Sequence, residues 1–178
     1  MADGKIEENE WIGSKQIMID PQNSIYYKSD NFYYYLAINS QLPKPFYVDL
    51  FIEENGVIKN IHASSQLGDR VLIDTTWTDY EPATQWGYNE GWTANAVKFD
   101  RRKMTEIRQN DPEANPYSAS YIPYDGFELQ FSKRQFRLEE SKLRIEIRNM
   151  IGPEGFETVV FPASSSRKDT KHWHQIDF

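Results

Sequence analysis

Apolar and polar residues alternate with a period of two at several places along the chain, and no window sustains a helical period for long. In residues 31–39 (NFYYYLAIN) Phe32, Tyr34, Leu36 and Ile38 share one face, and in 46–52 (FYVDLFI) Phe46, Val48, Leu50 and Ile52 do the same, because successive strand side chains point to opposite sides. The reading pairs these two strands across a turn at Pro43 and Pro45. Asn55-Gly56 then marks a tight type I′ hairpin, since both residues tolerate positive φ, and returns the chain through 57–63 (VIKNIHA). Later, Phe127, Leu129 and Phe131 alternate with Glu128, Gln130 and Ser132, and Leu143, Ile145 and Ile147 alternate with Arg144, Glu146 and Arg148. Such alternation marks antiparallel strands with one face on a core and the other open to water or a polar ligand. Residues 158–161 and 173–178 are further candidate strands, and 101–109 and 133–138 are candidate short helices. The pattern predicts a mainly β chain, an antiparallel β-sandwich forming one domain over residues 1–178, with Phe32, Tyr34, Leu36, Ile38, Val48, Leu50, Phe127, Leu129, Phe131, Leu143, Ile145 and Ile147 as its main core.

The second faces of the early strands are also aromatic, with Tyr33, Tyr35, Tyr47 and Phe51 pointing away from that core. Something must cover them. The expected cover is the long segment 64–92, whose last part, 75–92 (TTWTDYEPATQWGYNEGW), lacks periodicity and carries Trp77, Tyr80, Trp86, Tyr88 and Trp92. Three of the five tryptophans sit in this one polar loop. Flat rings interleaved with short carboxylates and amides suit stacking on sugar rings while hydrogen-bonding their rims. At least two of Trp77, Trp86 and Trp92, with Tyr80 or Tyr88, are therefore expected to form an accessible stacking surface, with Arg70, Asp79, Gln85, Asn89 and Glu90 meeting hydroxyls. The competing expectation is that the same rings tuck inward and pin the loop onto a sheet.

A length of 178 residues suffices for a substantial core without staples. There is no cysteine, which removes disulfides, thiolate metal sites and thiol chemistry. A net charge of −7 argues against a phosphate-backbone partner, and the basic runs Arg101-Arg102-Lys103 and Arg167-Lys168 with Lys171 are expected to be solvated loops. No apolar stretch approaches the length of a membrane span, and the acidic first ten residues do not resemble a secretory leader. A soluble chain without membrane or nucleic-acid partners is expected, exported if a leader has been removed. Neither a cofactor nor a metal ion is expected.

Asp3-Gly4 followed by Trp11, then 25–38 (IYYKSDNFYYYLAI) with Asp30 as a turn residue, and later 124–147 (YDGFELQFSKRQFRLEESKLRIEI) with the strand 127–131, together resemble the sandwich domains of family 9 carbohydrate-binding modules and the related DOMON domains. The resemblance implies a β-sandwich that binds a saccharide between aromatic side chains; some relatives bind haem through Met and His, which would draw on Met18, Met104 or Met150 with His62. Calcium occurs in sugar-binding relatives as a structural ion, although no Asp-rich loop with ligand spacing is evident here. A non-catalytic carbohydrate-binding role leads. A protein-interaction or structural sandwich is the alternative, and a glycan-active enzyme with a carboxylate pair drawn from Asp49, Asp74, Asp79, Glu81, Glu90 and Glu128 is a third.

Other chemistry is more thinly supported. His62 and Ser64 share a strand face, but no GxSxG elbow or third orienting residue stands out. Asp49 lies between Tyr47 and Phe51 on the second aromatic face, where burial would demand a partner such as Arg70. His172 and His174 would share a face of a terminal strand, yet two donors near an end lack the ligand count of a stable site. Tag-free protein is accordingly expected to carry no stoichiometric transition metal. Elemental analysis showing one bound zinc or copper that disappears in the His172→Ala/His174→Ala double variant would contradict this.

Overall fold

The computed structural model describes residues 2–81, 90–149 and 157–178. Its strands are β1 (Lys15–Asp20), β2 (Asn23–Ser29), β3 (Tyr33–Ser40), β4 (Phe46–Glu54), β5 (Val57–Ala63), β6 (Leu67–Ile73), β7 (Thr76–Trp77) and β8 (Trp92–Ala94). Helices α1 (Arg101–Asn110) and α2 (Tyr117–Ser120) follow, and then come β9 (Gly126–Ser132), β10 (Lys142–Asn149), β11 (Thr158–Phe161) and β12 (His174–Gln175). The strands build two antiparallel sheets packed against each other as a β-sandwich. One runs β1-β2-β3-β9-β8. The other runs β11-β10-β4-β5-β6-β7, with β12 also on β10.

Register explains why the alternating residues become one core. Across β3 and β9, Tyr34 faces Phe131, Leu36 faces Leu129 and Ile38 faces Phe127; across β4 and β10, Val48 faces Ile147, Leu50 faces Ile145 and Ile52 faces Leu143. All twelve are buried. Directly opposed residues share a face, so each central strand pair presents a continuous apolar surface to the other sheet. The Asn55-Gly56 turn has φ values of 53° and 82°, the left-handed pair that a type I′ hairpin requires, and it joins β4 to β5 with Glu54 opposite Val57.

Three expectations are corrected. β3 and β4 do not pair: β3 lies between β2 and β9, and β4 between β10 and β5. The Pro43 and Pro45 segment therefore crosses between sheets, which lets the two apolar faces meet instead of lying side by side. Phe32 is not core but 67% exposed. The Asp30 carboxylate accepts from the backbone N–H groups of Phe32 and Tyr33 at 2.7 and 2.8 Å, an Asx-type turn that holds Phe32 outside the strand. Residues 133–138 form a single turn, closed by Gln135 and Phe136 N–H groups on the Ser132 carbonyl, and not a helix. Phe136 and Leu138 are buried in the core, so the chain is pinned at two points as it passes from β9 to β10. Residues 101–109 are helical as expected, starting at an Asp100 cap that accepts from Arg102 and Lys103 N–H groups.

On the outer face of the five-stranded sheet, the backbone N–H groups of Asp3 and Gly4 donate to Glu128 Oε2 at 2.9 and 3.0 Å. Burial raises the Glu128 carboxyl above its ordinary range, and these two donors pull it back only in part. Gly4 has φ +87°, and a Cβ there would stand 2.7 Å from Asn95 Nδ2 and 3.2 Å from Tyr124 Cβ. Backbone conformation and space both require glycine. Gly4→Ala is expected to lower stability by about 1–3 kcal/mol, measured as the shift in the urea midpoint, whereas Gly13→Ala, which has positive φ but open space around it, should cost less.

Candidate functional site

The outer face of the seven-stranded sheet is built from the residues that alternate with the core positions. Register sets them in rows. One row runs Glu146, Asp49, His62 and Gly68 across β10, β4, β5 and β6, and the next runs Arg144, Phe51, Asn60 and Arg70. Arg148 opposite Tyr47 begins a third. Asp49, Asn60, Arg144 and Glu146 are buried. The centre of this face is thus neither solvated nor apolar, and its buried polar groups must satisfy one another.

Glu146 is the anchor. Arg144 Nη1 lies 2.6 Å from its Oε1, Arg167 Nε 2.7 Å from Oε1, and Arg148 Nε 3.1 Å from Oε2, with the Nη2 atoms of Arg148 and Arg167 also on Oε2. Burial by itself would raise the carboxyl, but the hydrogen bonds from Arg167, Arg148 and Arg144 outweigh it and bring it down to about 2. Arg144 and Arg167 also lie over the Phe51 ring at 5.1 and 5.7 Å, stacking that flat guanidinium groups favour. Arg167 was expected to be a solvated loop residue; the turn after β11 instead folds it onto the sheet.

A second network runs from Asp49. Its Oδ1 lies 2.9 Å from His62 Nδ1 and accepts from Asn60 Nδ2 at 3.3 Å; the Asn60 carbonyl accepts from Arg70 Nε at 3.0 Å and Tyr80 OH at 2.8 Å. Asp49 is therefore partnered by His62 and Asn60, with Arg70 one bond further away. Tyr47, His62 and Tyr80 form a ladder of rings at 5.4 and 5.5 Å. Tyr80 lies beside Gly68, where a Cβ would meet its ring at 3.5 Å. Burial, then the nearby Asp49 charge, pushes the Tyr80 phenol up to about 12, so it remains a hydrogen-bond donor at neutral pH.

Asp49, His62 and Ser64 also fall in a line, with His62 Nε2 3.0 Å from Ser64 Oγ. Spacing on the strand foresaw the His–Ser contact; the third residue comes from the neighbouring strand. Ser64 is buried, and its hydroxyl is held by the Gln66 backbone, accepting from N–H and donating to C=O, each at 3.1 Å. A nucleophile needs an accessible hydroxyl and an oxyanion hole, so this chain instead fixes the plane of the imidazole. Both ring nitrogens are engaged.

Of the residues expected to bind a ligand, Arg70, Trp77 and Tyr80 come together. The Arg70 guanidinium lies 5.0 Å from the Trp77 ring and 4.3 Å from the Tyr80 ring, and Trp77 packs on Phe51 at 5.8 Å. Segment 64–92 does supply cover for Phe51 through Trp77, while Trp173, 6.3 Å from Phe51, brings a second cover from the C-terminal end. Tyr33 and Tyr35 lie on the other sheet, where Tyr35 donates to Asp30 at 2.9 Å.

Trp92 requires a correction: it is 4% exposed, stacks on Phe131 and donates from Nε1 to Asp69 at 2.9 Å. Strand β8 turns its ring inward, so it is core and not a stacking platform. Asp79 is exposed, and Glu90 accepts from Gln135 beyond β9, away from the Asp49 network. Gln85, Trp86, Tyr88 and Asn89 lie outside the described residues. Sequence reasoning missed Asn60, Arg144, Glu146, Arg148 and Arg167 because alternation marks them as outward-facing without saying what they face.

The opposite sheet carries a cleft of about 450 Å³ lined by Trp11, Lys28, Asp30, Tyr35 and Glu128. Its groups already bind one another: Lys28 lies over Trp11 at 5.1 Å and reaches the Glu10 carbonyl. Trp11 is 9% exposed, so it offers little ring face to a ligand. No described helix is long and apolar enough to cross a membrane, and no three His, Asp or Glu side chains converge as a metal site among the described residues. His172 sits in a 3-10 turn and His174 in β12, not together on one strand.

The low value of Glu146 carries a pH signature. Its folded-state carboxyl is depressed below the ordinary 4.5, so its contribution is complete above that value and is lost as pH falls toward about 2. The loss is expected to be on the order of 3 kcal/mol, read from urea midpoints between pH 5 and 2. Glu146→Gln should lower stability at neutral pH by about 3–5 kcal/mol, because buried guanidinium groups lose their counter-charge, and should flatten that acid limb.

Comparison with protein-family models, with curated proteins and with solved structures gives no match to this chain. Its functional reading therefore rests on the geometry of this face.

Proposed function

We propose that this chain is a non-catalytic carbohydrate-binding β-sandwich that receives a saccharide on the outer face of its seven-stranded sheet. The observation that carries this reading is the juxtaposition, on one face, of half-buried rings (Tyr47, Trp77 and Tyr80) with the half-buried Arg70 guanidinium, which Asn60 holds against Trp77 and Tyr80. Sugars present C–H groups to ring faces and hydroxyls at their edges, and an ordered amphipathic surface meets both without a large ordering cost. Strand register sets Tyr47, Phe51 packs against Trp77, and the His62 ring lies between Tyr47 and Tyr80.

Two features favour binding over catalysis. A general acid must hold a proton near neutral pH, and Glu146, the carboxylate facing Asp49 across the strands, is held at about 2. Ser64 lies buried in a backbone turn.

Trp77→Ala is expected to weaken binding of the best glycan found on an array by about 1–3 kcal/mol, while lowering stability by no more than about 2 kcal/mol. Trp92→Ala should do the reverse, costing about 3–5 kcal/mol of stability as a buried aromatic truncation. Titration calorimetry and urea unfolding of both variants check this. Absence of any glycan ligand for the wild type would defeat the reading.

A further inference from the structure

The outer face holds more positive charge than its own contacts use. Four guanidinium groups, Arg70, Arg144, Arg148 and Arg167, face two carboxylates, Asp49 and Glu146, in a protein whose net charge is −7. Asp49 is already engaged by His62 and Asn60. Glu146 alone therefore serves three arginines.

Arg148 and Arg167 differ from Arg144 in access. The Arg144 side chain is 5% exposed, while those of Arg148 and Arg167 are 30% and 38% exposed. Both spend one N–H of Nε and one of Nη2 on Glu146, and since a guanidinium carries five N–H donors, each keeps three, two of them on Nη1, without a partner among the described residues. Shared attachment to one carboxylate holds the two cations close together, a repulsion that a bound anion would relieve. Tyr47, opposite Arg148, and Tyr80, near enough for the Arg167 charge to pull its phenol down against the larger effect of burial, flank them with their rings. A planar carboxylate or a sulfate fits such a paired-guanidinium site through charge-assisted hydrogen bonds.

We propose that the saccharide is acidic, its carboxylate or sulfate bound between Arg148 and Arg167 while its rings lie toward Tyr47, Tyr80 and Trp77. This rests on the carbohydrate-binding reading and narrows it. Neutral sugars of the same shape would leave the surplus charge uncompensated, so selectivity belongs to the arginines and stacking to the aromatic residues. Glu146 acts as a positioning residue, keeping two mobile side chains in one geometry.

The test is a glycan array containing neutral, uronate-bearing and sulfated oligosaccharides, followed by calorimetry with the best acidic glycan and its carboxyl-reduced or desulfated counterpart. Wild-type protein is expected to prefer the acidic form at least tenfold and to lose that preference in 0.5 M NaCl. Arg148→Gln and Arg167→Gln should each weaken the acidic glycan about tenfold and leave the neutral counterpart unchanged. Should either variant unfold, the comparison of the two glycans on the wild type still decides the matter. Equal affinity for the two forms, or binding confined to neutral glycans and lost in Trp77→Ala, overturns the charge inference and leaves carbohydrate binding standing. No glycan bound at all, or competition by inorganic sulfate without any glycan bound, overturns both.

Discussion

The ion cluster around Glu146 is the constraint on which the outer face depends. A carboxylate this buried would be costly alone, and so would the buried Arg144 guanidinium without it. Together they hold residues from β10 and from the turn after β11 in one arrangement, with Phe51 of β4 as the flat surface beneath. The arrangement is specific because bidentate pairing fixes orientation as well as distance.

Around that anchor, the sheet combines two functions that strands usually divide. The inner sides of β4 and β10 supply the apolar core with Val48, Leu50, Ile145 and Ile147, while their outer sides carry Asp49, Phe51, Arg144 and Glu146, all buried. Both faces of the central strands are thus constrained. A surface formed this way is held from both sides, by the core beneath and by the polar network above. The Asp49–His62–Ser64 line belongs to the same logic: it holds an imidazole ring rigidly between Tyr47 and Tyr80.

Much of the architecture was legible in the chain. Period two identified the inner faces of β3, β4, β9 and β10, Asn55-Gly56 identified the hairpin, and eleven of the twelve expected core residues are buried. Where the reading missed, local chemistry overrode the pattern. Asp30 captured two backbone N–H groups and pulled Phe32 out of phase, and Phe136 with Leu138, in a segment read as a short helix, instead pin an irregular crossing. Trp92 was assigned to a polar loop from its neighbours, yet three residues of β8 suffice to turn its ring inward against Phe131.

The sequence by itself determined which residues share a strand face, because side-chain alternation is a local property of extended backbone. It also determined that thiol chemistry is absent and that Trp77, Tyr80 and Arg70 lie close together in the chain. Only the tertiary structure decided that β3 and β4 belong to different sheets, that Asp49 meets His62, and that Arg144, Arg148 and Arg167 converge on Glu146. Alternation reports that a side chain points outward but carries no information about the strand beside it or the segment above it. Those depend on register between strands far apart in the chain, and register is set by how two whole apolar faces fit together.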